Sequence, residues 1–173
     1  NFFRIAPGRN PKSIGIFLQA YCNLFEQNLI EKEDFESIEK EFVGFLLENN
    51  SPGYSGNCWG FNFNWQDLNR FSTKGLPTIV VTSYVANAFL DLHQITKNKE
   101  YLNIARRSCE FILKDLHLTK TERGNCFSYT PIDTLTVHNA NVLGAALLAR
   151  MYSLTKEDML LEYAKESFEF LLS

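Results

Sequence analysis

The stretch VHNANVLGAALLARMYSL, residues 137–154, decides the fold. Between Ala140 and Leu154 its one charged residue is Arg150. A segment of that length, apolar nearly all round, reads as a helix buried on most sides. It is followed at once by TKEDMLLEYAKESFEFLLS, residues 155–173, in which Glu and Lys recur on one face and Leu, Ala and Phe on the other. That is an amphipathic helix. The short link Ser153-Leu154-Thr155-Lys156 suits an antiparallel hairpin of one buried and one half-exposed helix.

Working outward, the same pairing occurs twice more. Six segments carry helical periodicity: residues 10–27, 34–48, 79–95, 99–116, 138–154 and 156–172. Pro11 sits well in the first turn of the first. The second, fourth and sixth are amphipathic; in the second, Phe35, Ile38, Phe42, Phe45 and Leu46 share a face opposite Glu36, Glu39 and Lys40. The first, third and fifth are apolar nearly all round. Outer helices end alike, as Phe45-Leu46-Leu47, Phe111-Ile112-Leu113 and Phe170-Leu171-Leu172. Inner helices align at Asn10, Thr82 and Asn139, then at Gly15, Asn87 and Gly144, then at Leu18, Leu90 and Leu147.

Inner-to-outer links are short, whereas residues 49–77 and 119–137 form long irregular segments between an outer helix and the next inner one. Both segments therefore gather at one end, around the N-termini of the inner helices. The reading is an all-α chain of three tandem helical hairpins forming about half of an α/α toroid, a single domain over residues 1–173. A tetratricopeptide solenoid fits less well, since its repeats are near 34 residues with short turns on both sides. Three hairpins leave two open flanks, to be met by the remaining half of the ring or by self-association. The chain begins at Asn1 rather than Met and is expected to be a fragment of a longer protein.

Composition narrows the function. A net charge of -3 gives no electrostatic reason to expect nucleic acid. No run of 18 apolar residues occurs, so no membrane insertion is expected, and no signal peptide is read. Cys22, Cys58, Cys109 and Cys126 form no CxxC pair, and His93, His117 and His138 are far apart, so no metal and no cofactor are expected. Sequence does not pair Cys58 with Cys126; the cysteine pattern favours a reducing, cytoplasmic setting. GxGxxG, Walker-type and GxSxG signatures are absent.

Chemistry concentrates in the two long segments. The first runs GYSGNCWGFNFNWQD, residues 53–67. Trp59 and Trp65 offer flat apolar faces, while Asn62, Asn64 and Gln66 offer paired donors and acceptors. Flat faces beside carboxamides suit a sugar ring, with its CH patches and hydroxyls; the competing expectation is that the aromatics plug one end of the helical assembly. The second runs from Cys126-Phe127-Ser128-Tyr129-Thr130-Pro131 to Val137-His138-Asn139-Ala140-Asn141. His138 is a candidate general acid or base, or a histidine at a helix start. Asn139 and Thr82 also read as N-caps. Asp67 and Asp133 are candidate carboxylates, with Glu122 less central and Asp91 deeper on an inner helix; a carboxylate pair would suit glycoside hydrolysis.

These strings, GYSGNCWGFNFNWQ, CFSYTP and VHNANVLGAALLAR together with NPKSIGIFLQAY, resemble an uncharacterised bacterial family associated with exopolysaccharide and capsule gene clusters, related to the six-hairpin glycosidase-like α/α toroids. Some members carry a delta-aminolevulinic acid dehydratase label, for which this chain has neither an α/β-barrel pattern nor a Schiff-base lysine in context. The resemblance covers most of the chain and implies a carbohydrate setting. Its motif positions here are Tyr54, Trp59, Asn62, Trp65, Gln66, Ser128, Tyr129, His138, Asn139 and Asn141. Together these give a carbohydrate-binding or carbohydrate-active protein. Trp59, Trp65 and Tyr129 are the expected platforms, and Asn62, Gln66, Asn139 and Asn141 the expected hydroxyl partners. His138, with Asp67 or Asp133, is the proton-transfer candidate for a hydrolase, lyase or epimerase. The alternative is a non-enzymatic helical scaffold in a polysaccharide assembly complex.

Overall fold

The computed structural model of the chain describes residues 8–66 and 70–172. Its helices are α1 (Pro11–Glu26), α2 (Lys32–Glu48), α3 (Ile79–Thr96), α4 (Lys99–Asp115), α5 (His138–Thr155) and α6 (Asp158–Leu172). Two small antiparallel hairpins lie in the long segments: β1 (Trp65–Gln66) with β2 (Phe71–Ser72), and β3 (Leu118–Thr121) with β4 (Gly124–Phe127). Helices α1, α3 and α5 pack side by side as an inner row, and each carries its partner α2, α4 or α6 on the outside. This is the half toroid of three hairpins.

Each tight inner-to-outer link turns through one left-handed residue that is not glycine: Asn28 (φ 55), Lys97 (φ 58) and Lys156 (φ 60). Lys156 thus stands before α6, not inside it. Helix α2 starts earlier than the sequence pattern, at Lys32, so Glu33 and Asp34 both fall in its first turn, where their charge complements the helix dipole.

Helix α3, flanked on both sides, is the centre of the core; its residues from Ile79 to Val85 are buried except Tyr84. Helix α1 departs from the expectation of a helix buried on most sides. It stands at the edge of the row, so Ile16 (43%) and Phe17 (56%) are exposed. All four cysteines are free and buried. Burial pushes the thiols of Cys22, Cys58 and Cys109 up to about 12 and that of Cys126 up to about 11.

The long segments share a device. Gly56-Asn57-Cys58-Trp59-Gly60-Phe61 and Gly124-Asn125-Cys126-Phe127-Ser128-Tyr129 do the same work one repeat apart. At Gly56 a Cβ would stand 1.7 Å from the carbonyl oxygen of Arg107 on α4, and at Gly124 2.2 Å from that of Glu166 on α6. The backbone can lie on the outer helix only because both are glycine. Three residues on, the aromatic turns inward. The Trp59 N–H donates to Thr82 Oγ1 at 3.1 Å, and the Phe127 N–H donates to Asn141 Oδ1 at 3.1 Å.

Thr82 and Asn141 are each the fourth residue of their helix. The structural repeat therefore matches Thr82 with Asn141, not with Asn139. Neither Thr82 nor Asn139 is an N-cap. Thr78 caps α3, its Oγ1 accepting from the Val81 N–H at 3.0 Å, and Val137, at the N-cap of α5, supplies no side-chain cap. Asn10 does cap α1, accepting from the Lys12 N–H at 2.8 Å.

Candidate functional site

The site is built on the β1–β2 hairpin. Trp65 pairs with Ser72 and Gln66 with Phe71. Residues opposite each other share a face, so Trp65 and Ser72 point one way and Gln66 and Phe71 the other. Ser72 is buried, and the Trp65 ring lies 5.9 Å from that of Phe61, which in turn stacks on Phe63 at 5.4 Å. On the other face Phe71 is 54% exposed beside exposed Gln66; Phe63 is exposed too.

Arg70 joins the two long segments. Its guanidinium lies 3.5 Å from the centre of the Tyr129 ring and 5.1 Å from that of Trp65, with Asp133 Oδ2 at 3.9 Å from Nη1. Cation–π attraction over two rings holds the hairpin against the second loop. Three candidates from two loops, Trp65, Tyr129 and Asp133, thereby come together. Arg70 itself and the exposed aromatics Phe63 and Phe71 were missed in the sequence. The signal for Phe71 was alternation, too brief in two-residue strands to stand out.

Asp133 is engaged by its own loop. Its Oδ1 accepts from the N–H groups of Tyr129 (3.2 Å) and Leu135 (3.0 Å), and its Oδ2 from the Thr130 N–H (3.0 Å) and Thr130 Oγ1 (2.5 Å). A carboxylate has about four acceptor positions, and the loop fills them. Asp67 lies outside the described residues.

Several proposed contacts prove to be framework. Trp59 is fully buried; its Nε1 donates to the Leu46 carbonyl at 2.6 Å and its ring stacks on Phe89. It offers no face to a ligand. Tyr129 is 9% exposed, with the Arg70 guanidinium over its ring, so it is a support and not an open platform. Asn141 is fully buried and ties three elements, accepting from the Phe127 N–H and donating to the carbonyls of Asn125 and Ser167. Ser128 is buried, donating to the Thr130 carbonyl and accepting from the His117 N–H.

The other candidates stand apart from this cluster. Tyr54 packs edge-on against Phe111 of α4, 5.7 Å between centres. Asn62 donates to the Arg9 carbonyl. His138 and Asn139 are exposed in the first turn of α5, and the His138 ring stacks on Phe170 of α6 at 5.2 Å.

A second polar group lies on the inner helices. Arg150 of α5 reaches across to α3, donating to Asn87 Oδ1 (3.0 Å), Asp91 Oδ1 (2.5 Å) and Gln94 Oε1 (2.9 Å). Burial holds the Asp91 carboxyl above its ordinary value, the hydrogen bond and charge of Arg150 pull it down, and nearby Glu26 pushes it up. Among the described residues, no group of three or more His, Cys, Asp or Glu is placed to hold a metal ion, and no helix is long and apolar enough to cross a membrane.

No protein-family model matches the chain, and no curated protein does. Solved structures do match. A GH76 alpha-mannanase from Bacteroides thetaiotaomicron is similar over 95% of this chain and 44% of its own, at 17% identity and a TM-score of 0.65. A D-mannose isomerase is similar over 94% and 42%, at 16% identity and a TM-score of 0.65. A glycoside hydrolase family 76 mannosidase from Bacteroides thetaiotaomicron VPI-5482 is similar over 94% and 44%, at 15% identity and a TM-score of 0.61. The chain spans less than half the length of these relatives, and what it shares with them is the fold: it forms about half of a glycosidase-like α/α toroid.

Proposed function

We propose that the loop end of this half toroid binds a saccharide, with the Gln66–Phe71 pair as the contact surface. The observation that carries this reading is the exposure of Phe71 directly across the hairpin from an exposed carboxamide. An aromatic face takes the CH side of a sugar ring, and a carboxamide beside it both donates to and accepts from hydroxyls. The solved relatives are by name a mannanase, a mannosidase and a mannose isomerase, so manno-oligosaccharides are the first ligands to try. The motif resemblance suggests bacterial polysaccharide metabolism as the setting, and four free buried thiols agree with a reducing compartment. His138 remains the accessible proton-transfer candidate, to be tested by turnover of any bound glycan with His138→Ala.

The test is a glycan array followed by calorimetric titration of the best ligand. Phe71→Ala should weaken that binding about tenfold, the worth of one well-placed aromatic contact, while leaving the unfolding curve in place. An array on which nothing binds ends the proposal.

A second reading is a non-enzymatic scaffold, and the full burial of Trp59 favours it. It is supported if a polysaccharide-assembly protein binds through the exposed Phe63 and Phe71 surface and no glycan does.

A further inference from the structure

Between the β1–β2 hairpin and the second long segment lies a cleft of about 190 Å³, lined by Arg70, Phe71, Ser72, Leu76, Thr130, Ile132 and Asp133. A cavity of about 150 Å³ accommodates a benzene ring, so the space suits one six-membered ring and not a longer stretch of polymer. Ser72 is 4% exposed, and its hydroxyl has no hydrogen-bond partner. Such a group has lost water and gained nothing for it. Ser83 and Ser167 share that state, but they lie inside α3 and α6, away from this cleft. Ser72 lines an opening between the two loops that the reading above assigns to ligand.

Chemistry narrows the occupant. The charged groups lining the cleft are one of each sign, Arg70 and Asp133, 3.9 Å apart, so no net field selects an anion. The carboxylate has its acceptor positions filled by the loop. The Ser72 hydroxyl, which has no hydrogen-bond partner, can donate one hydrogen bond and accept others. The complementary group is another hydroxyl.

We propose that this cleft seats a single neutral sugar residue of the bound saccharide, with Ser72 as the residue that reads one of its hydroxyls. The proposal rests on the saccharide-binding reading and deepens it. Phe71 borders the cleft and also presents the exposed face, so one residue of the ligand enters while its neighbour lies across the hairpin.

The experiment compares wild type, Ser72→Ala and Phe71→Ala, titrated with a neutral manno-oligosaccharide and with an oligouronate, and measures the unfolding of each. Expected are tighter binding of the neutral ligand by wild type, and a five- to tenfold loss (roughly the worth of one hydrogen bond) in Ser72→Ala. The Ser72→Ala unfolding curve should be unchanged or shifted towards greater stability, because the hydroxyl removed had no partner. Undiminished binding by Ser72→Ala, with Phe71→Ala weakened, overturns the cleft and leaves the saccharide site standing. A preference for the uronate overturns the neutral class. Marked destabilisation of Ser72→Ala means the hydroxyl serves the fold, and overturns the proposal. No binding of either ligand by wild type brings down the saccharide reading itself.

Discussion

Trp59 and Trp65 stand six residues apart in one loop and have opposite fates. Trp59 belongs to a run, Cys58 to Gly60, that is buried throughout, and its indole N–H finds the otherwise open carbonyl of Leu46 near the end of α2. Trp65 belongs to the hairpin, and packs against Phe61 and Arg70. Composition made the two equivalent, because an indole suits a core and a sugar platform equally well; only the partner for its N–H separates them. Trp59→Phe should therefore destabilise the chain by about 2–4 kcal/mol, from the lost volume and the stranded carbonyl. Urea unfolding followed by circular dichroism measures this. Where glycan binding is found, its affinity should not change; a large loss of affinity with unchanged stability would restore Trp59 to the site.

At the scale of elements, the loops are held by their backbones. Gly56 lets the first loop lie on α4, and Gly124 lets the second lie on α6. In Gly56→Ala the added methyl would overlap the Arg107 carbonyl, so the loop must lift, at a cost of about 3 kcal/mol. Gly44→Ala makes the contrast: in α2, with nothing within 4 Å of the new Cβ, it should gain up to about 1 kcal/mol from helix propensity. Thermal unfolding of the two variants should move in opposite directions; a shared direction would contradict the docking described. The helices and their pairing were legible in sequence, because each spans several turns of an apolar period and ends at a polar link. The loop was legible as a place but not as a structure. Two-residue strands carry almost no period, and the Arg70 bridge to Tyr129 joins residues far apart in the chain. The repeat of Gly-Asn-Cys-aromatic was visible as letters, yet its meaning needed the Thr82 and Asn141 hydrogen bonds, which reset the helix alignment by two positions.

Across the whole molecule, stability depends on the seams between neighbouring inner helices, since each hairpin buries its inner helix only by leaning on the next. The α1–α3 seam is close: a Cβ at Gly15 would stand 3.2 Å from the Val85 backbone, and Gln19 Nε2 donates to the Tyr84 carbonyl at 3.0 Å. The α3–α5 seam is bridged by Arg150, whose guanidinium meets Asn87, Asp91 and Gln94 together. Arg150→Met removes the charge, keeps much of the length, and leaves a half-buried carboxylate without its cation, which should cost about 1–3 kcal/mol at pH 7. The sign with pH follows from Asp91. Its carboxyl is already above the ordinary value through burial, and losing Arg150 removes what pulled it down. A carboxyl with a raised folded pKa is best accommodated below its unfolded value, near 3.8, and stability is lost as pH rises through the folded value. The deficit of Arg150→Met should accordingly shrink on acidification from pH 7 towards pH 4.5, and Asp91→Asn in the same background should remove that dependence. Paired urea titrations at the two pH values decide it. An equal deficit at both would mean that Arg150 joins the repeats through packing and its bonds to Asn87 and Gln94, with the Asp91 charge playing no part in the seam.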